Sequence, residues 1–109
     1  MPRLYLYKSK SKDKKYKMVF PEGSARFGAK SYRDFTKISN KNDKFYLPNE
    51  EDREKVKRSY KARHKKDKGL GNYKSPAELS MMLLWNKPTL NASIKDYERK
   101  HKLEVIKMF

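Results

Sequence analysis

The chain has 109 residues, with 29 Lys or Arg against 13 Asp or Glu and a formal net charge of +16. That length accommodates one domain and excludes a pair of full catalytic domains. Leu, Ile, Val and Phe account for 20 of the 109 residues, about 18%, which together with the high charge borders on the composition of disordered chains. Aromatic residues, at 13%, offset this, because each Tyr, Phe or Trp can bury a large apolar body. The absence of Cys excludes disulfides, thiolate metal sites and Cys nucleophiles, and points to a reducing compartment. Residues Met1–Ser9 carry no continuous apolar stretch of the signal-peptide kind. The longest apolar run, Met81–Trp85, falls far short of the roughly 20 residues that cross a bilayer, so no membrane span is expected.

Residues 3–35 read as strands. Leu4 and Leu6 alternate with Tyr5 and Tyr7, and Tyr16, Met18 and Phe20 alternate with Lys15, Lys17 and Val19, the period-2 pattern of half-buried strands. Between them the polar segment Lys8–Lys14 predicts a hairpin connection with a cationic tip. Pro21 and Gly23 punctuate the chain before a third strand within Ala25–Phe35, bent near Gly28. Residues 37–48, with Ser39, Asn40, Asn42 and Asp43, predict a loop pinned back by Phe45, Tyr46 and Leu47.

Asn49 offers a helix cap. Glu50, Glu51, Asp52 and Glu54 crowd the first turn that follows, and Lys61, Arg63, Lys65, Lys66 and Lys68 crowd the last, predicting a helix over 50–67. Its only apolar stripe is Val56 and Tyr60, extended by His64, so most of this helix faces solvent or a charged partner. Gly69 and Gly71 end it. Ser75, Pro76 and Glu78 form a capping-box pattern that starts a second helix at Pro76. Leu79, Met82 and Leu83 continue it to Trp85, and Pro88 stops it. Thr89 caps a third helix with the stripe Leu90, Ile94 and Tyr97, followed by the apolar segment Leu103–Phe109. The expected fold is α+β: a small antiparallel three-stranded β-meander followed by two or three helices. It forms a single basic domain over 1–109, β-rich over 1–48 and helical over 49–109.

Catalytic chemistry finds little support. His64 and His101 are the only histidines, and each lies in a lysine-rich run that disfavours a protonated imidazole. They stand 37 positions apart with no His-x-x-x-His pair, so neither a metal nor another cofactor is expected. Gly69-Leu70-Gly71 lacks the remainder of a phosphate-binding loop and reads as a helix stop. No small-molecule substrate is indicated.

The basic runs are the dominant feature. One holds Lys8, Lys10, Lys12, Lys14, Lys15 and Lys17; the other holds Lys55, Lys57, Arg58, Lys61, Arg63, Lys65, Lys66 and Lys68. Either run suits the phosphates of nucleic acid, through salt-sensitive and largely sequence-independent contacts, or acidic protein surfaces. Lys exceeds Arg, which argues against bidentate reading of bases. Tyr5, Tyr7, Tyr16 and Tyr32 are candidates for stacking on single-stranded bases, although alternating aromatics on strands more often form core or cross-strand pairs. Trp85 with Leu83 and Leu84 is ordinarily core. Five apolar residues in Leu103–Phe109 predict docking onto this domain or a neighbour, so Trp85, Ile106 and Phe109 are the candidate apolar anchors.

Three stretches, FGAKSYRDFT (Phe27–Thr36), YKARHKKDK (Tyr60–Lys68) and SPAELSMMLLWNKPTLNASIKDYERK (Ser75–Lys100), together resemble small basic proteins of uncharacterised function encoded by nucleocytoplasmic large DNA viruses, the giant viruses. The most specific element is LLWNKPTLNASI, Leu83–Ile94. The chain departs from the usual pattern in having Ala77–Met82 where an aromatic-rich segment precedes that element. The resemblance implies a viral origin and a virion component, with no assigned active site. The expected function is therefore a non-enzymatic minor capsid, or cement, protein on the inner face of the capsid, present in the host cytoplasm during assembly. Its expected partners are the major and other minor capsid proteins, with viral DNA packaging or compaction as the alternative role.

Overall fold

The alternation of Leu4 and Leu6 with Tyr5 and Tyr7 becomes strand β1 (Arg3–Lys8) in the computed structural model, which describes residues 1–109. It pairs antiparallel with β2 (Lys14–Phe20), which pairs antiparallel with β3 (Gly23–Ala29), giving the predicted meander. Four helices follow, α1 (Phe35–Ile38), α2 (Glu50–His64), α3 (Pro76–Leu83) and α4 (Leu90–His101). The chain then returns as β4 (Glu104–Lys107), parallel to β1, and the sheet order is β3-β2-β1-β4. The sheet thus has four strands of mixed direction where three antiparallel ones were expected, and β structure is not confined to residues 1–48. The apolar segment 103–109 docks onto its own domain. Val105 sits beside Leu4, and the Met108 N–H donates to the Leu6 carbonyl at 2.9 Å.

Several boundaries also differ from expectation: β3 begins at Gly23, and α3 ends at Leu83, two residues before Trp85. The third strand ends at Ala29, well before Phe35, because Asp34 caps α1: its carboxylate accepts from the Lys37 N–H at 3.1 Å. Helix α1 therefore takes up the start of the segment expected as loop. Helix α2 stops at His64, where the Asp67 carboxylate meets His64 Nδ1 at 2.7 Å and the chain turns. The predicted caps Asn49, Ser75 and Thr89 are in place, each accepting from a first-turn N–H. No helix is long and apolar enough to cross a membrane.

The core is one cluster of 15 buried side chains, drawn from the sheet (Leu4, Leu6, Met18, Phe20, Phe27 and Val105) and from all the helical segments except α2. Strand register puts those six on one face, since residues opposite each other in a ladder share a face. Helix α3 contributes Leu79 and Leu83, and α4 contributes Ile94 and Tyr97. Burial pushes the Tyr97 hydroxyl above the usual tyrosine range, and it donates to the Tyr73 carbonyl at 2.6 Å.

Glu78 is the polar centre of this packing, 1% exposed. The capping pattern placed it correctly at the start of α3, but its side chain turns inward. It accepts from the Gly71 N–H at 2.9 Å, Lys100 Nζ at 2.6 Å and His101 Nε2 at 2.8 Å, tying the loop before α3 to the end of α4. Burial alone would raise its pKa. The hydrogen bonds from Lys100, Gly71 and His101 outweigh burial and hold the carboxyl below the usual glutamate value. The carboxylate's contribution is therefore complete above about pH 4.5 and is lost as pH falls through the lower folded-state value. Glu78→Gln should cost about 1.5–3 kcal/mol at neutral pH, and the gap from wild type should narrow on acidification, as read by urea unfolding at about pH 7 and about pH 3.5.

Gly28 has φ +79°, and a Cβ there would lie 2.7 Å from Leu84 Cδ1, the residue that follows α3. Gly71 has φ +89° with nothing within 4 Å of such a Cβ. Gly71→Ala should cost about 1 kcal/mol for backbone strain alone, and Gly28→Ala about 2–4 kcal/mol, because Leu84 must also be displaced from the core. Denaturant midpoints of the two variants measure the difference, and equal losses would contradict tight packing of Leu84 on the sheet.

Candidate functional site

Two surfaces remain once the core is assigned. The first is the other face of the sheet. Register places Ile106, Tyr5, Val19 and Ser24 in one row across the four strands, and Tyr7, Lys17 and Arg26 in the next, with Met108 just past the end of β4. None of these side chains is buried, and Tyr7 and Met108 are among the most exposed large apolar residues of the chain. Arg3 lies at one end of this face, paired with Glu104 at 2.7 Å. No element of the chain covers it. Its centre is apolar and aromatic and its margin is mostly basic, the make-up of a protein-binding patch.

The second surface is a cleft of about 990 Å³ between the start of β2, the Ala29–Asp34 turn, α2 and the end of α3. By register, Lys15 and Gly28 form the row beyond Tyr7, Lys17 and Arg26, so the cleft begins where the open face ends. Its inner wall is a stack of three rings. Tyr60 lies 4.2 Å from Trp85 at an interplanar angle of 7°, and 4.2 Å from His64 on its other side. This stack, with Val56, holds α2 to the body of the protein. Lys57 adds a hydrogen bond from Nζ to the Asn86 carbonyl at 2.6 Å and lies 4.6 Å over the Phe35 ring. Burial lowers the Lys57 pKa from the usual lysine range.

Charge in the cleft is one-sided. Lys14, Arg33, Lys55 and Arg63 line it, and none of them forms an ion pair. Its one carboxylate, Asp34, is 2% exposed and fully engaged by Lys15 Nζ, the Thr36 hydroxyl and the Lys37 N–H. Burial lowers the Lys15 pKa, against the upward pull of Asp34. Tyr32 stands at the mouth, 70% exposed.

The structure thus divides the predicted interaction residues. Lys14, Lys15, Lys55 and Arg63 come together in the cleft from runs about 40 positions apart in sequence. Lys10 and Lys12 are exposed on the β1–β2 connection, and Lys17 lies on the open sheet face. Arg58, Lys61, Lys65, Lys66 and Lys68 are exposed on or just beyond α2, outside the cleft, and Lys57 is a structural tie. Lys8 and Lys107 sit over the Phe109 ring at 5.5 and 5.2 Å, and that ring stacks on Tyr16. Of the predicted apolar anchors, Trp85 is a core residue, 7% exposed, because Tyr60 covers it. Ile106 is on the open face and Phe109 remains 44% exposed. Arg33 was not singled out from the sequence, because it is an isolated cation that only the turn before α1 carries into the cleft. His101 and Glu78 form a structural contact inside the domain.

A family model described as a family of unknown function (DUF5754) matches residues 4–46. No curated protein and no solved structure matches the chain. The matched stretch comprises β1, β2, β3, α1 and most of the following loop. It therefore carries most of the open sheet face and the Lys14, Lys15, Arg33 and Asp34 side of the cleft, and over that stretch the chain is similar to this family.

Proposed function

We propose that the protein is a non-enzymatic structural component of a large DNA virus particle, a minor capsid protein that cements capsid subunits from the inner side of the shell. The observation that carries this reading is the uncovered sheet face, where Tyr5, Tyr7, Val19, Ile106 and Met108 lie beside Lys17 and Arg26. An apolar centre with a basic margin fits an acidic patch on a capsid protein. The viral setting comes from the resemblance of Phe27–Thr36, Tyr60–Lys68 and Ser75–Lys100 to small basic proteins of such viruses. A lasting assembly also suits a chain with few aliphatic residues, since a partner that binds only the folded state adds to its stability.

Cross-linking mass spectrometry on purified particles tests the proposal. The expected result is links from Lys17, the lysine of the open face, to one capsid protein at a fixed, repeated position. Tyr7→Glu with Val19→Lys, both on solvent-accessible positions, should leave the isolated protein folded by circular dichroism. The same pair should lower its incorporation into particles by about tenfold or more, as the loss of a buried aromatic contact at an interface implies. Absence of the protein from particles, or unchanged incorporation of the double variant, would sink the reading.

A further inference from the structure

We propose that the cleft between β2, the Ala29–Asp34 turn and α2 is a binding site for a single strand of nucleic acid. The inference stands apart from the capsid reading, because it rests on a different surface.

Its first support is the supply of cations. Lys14, Arg33, Lys55 and Arg63 arrive from β2, the turn and α2, face one cleft of about 990 Å³, and have no carboxylate partner. Unpaired like charges held together repel, and a chain of phosphates relieves that repulsion at several points at once. Two of the four are Arg, whose planar guanidinium forms paired hydrogen bonds with phosphate oxygens and stacks on bases. The only carboxylate in the cleft, Asp34, is buried and already neutralised by Lys15, so it offers an approaching phosphate little repulsion.

The second support is aromatic surface at the mouth. Both faces of Tyr60 are covered, one by Trp85 and the other by His64, so Tyr60 is a wall and not a platform. Tyr32 is different: it is 70% exposed, lines the cleft, and takes part in no ring contact within the protein. A base leaving the cleft can stack on it.

The exposed ring favours a single strand over a duplex: a duplex keeps its bases stacked inward, whereas one strand can lay its phosphates on the cations and turn a base outward onto Tyr32. An acidic protein segment would satisfy the cations but would leave Tyr32 without a role.

The test is fluorescence anisotropy of the full chain with a labelled oligothymidine and with a duplex of equal length, at about 50 mM salt and above. The single strand should bind at least about tenfold more tightly than the duplex. Arg33→Ala with Arg63→Ala should weaken it by about tenfold or more, and flatten the log–log salt dependence by about 0.7 for each cation removed. Lys41→Ala with Lys95→Ala removes the same charge from exposed positions outside the cleft and should weaken binding by less than about threefold. Tyr32→Ala should cost about tenfold while Tyr32→Phe stays within about twofold of wild type. Equal binding of duplex and single strand, equal losses in the two charge-matched double variants, or no effect of Tyr32→Ala would overturn the proposal. So would competition by polyglutamate as effective as that by unlabelled oligothymidine, which would assign the cleft to acidic protein.

Discussion

The buried carboxylate of Glu78 is the contact on which the arrangement of the helices depends. Such a carboxylate is costly to bury, and the half-exposed Lys100 ammonium and the largely buried His101 ring are the side chains that satisfy it. Glu78 also accepts from Gly71, so one side chain fixes the loop before α3, the start of α3 and the end of α4. From that end the left-handed Lys102, with φ 54°, reverses the chain, and Glu98 accepts from the N–H groups of Leu103 and Val105. The path into β4, and with it the closing edge of the sheet, follows from where Glu78 holds α4. Asp34 plays the matching part next to Leu84, just past the end of α3, where it neutralises Lys15 and caps α1.

These two anions account for why the remaining charge lies where it does. With Lys15 matched inside and Lys100 half-exposed against Glu78, most other cations are displayed on the surface, chiefly along α2, the hairpin and the cleft. Helix α2 is the extreme case. It has no buried residue and holds on through Tyr60, Val56, Lys57 and the hydrogen bond from Arg53 to the Leu47 carbonyl at 2.6 Å. Its sequence does not describe a core helix, and it is better understood as a carrier of charge fastened at one stripe.

Local signals in the sequence were enough to locate α2, α3 and α4, but not the short α1. The acidic first turn and basic last turn of α2, the Ser75-Pro76-Glu78 start of α3 and the Thr89 cap of α4 are short-range patterns, and each appears where the residues predict. The strands β1 and β2 follow from alternation in the same way. Strand β4 was not legible, because four residues with one buried Val carry almost no periodic signal and their pairing partner lies about 100 positions away. Glu78 was seen as a capping residue because sequence shows spacing and not the direction in which a side chain turns. The cleft was half visible: both basic runs stand out, but their convergence needs the turn at Asp34 and the ring stack on Trp85. Trp85 itself, in the most distinctive stretch of the sequence, serves the fold by giving Tyr60 something to lie on.

That last contact joins stability to binding. The rings that fasten α2 also bring Lys55 and Arg63 to face Lys14 and Arg33, so the packing energy of the stack works against repulsion among the cations it gathers. The element with the least burial thus carries part of that electrostatic load. Any polyanion that settles in the cleft removes that load and adds contacts to α2 at the same time, and so stabilises the folded chain by mass action as well as by neutralisation. A protein built this way has no reason to bury α2 more deeply. Doing so would hide the charges or separate them, and in either case would remove the one-sided potential that the cleft presents.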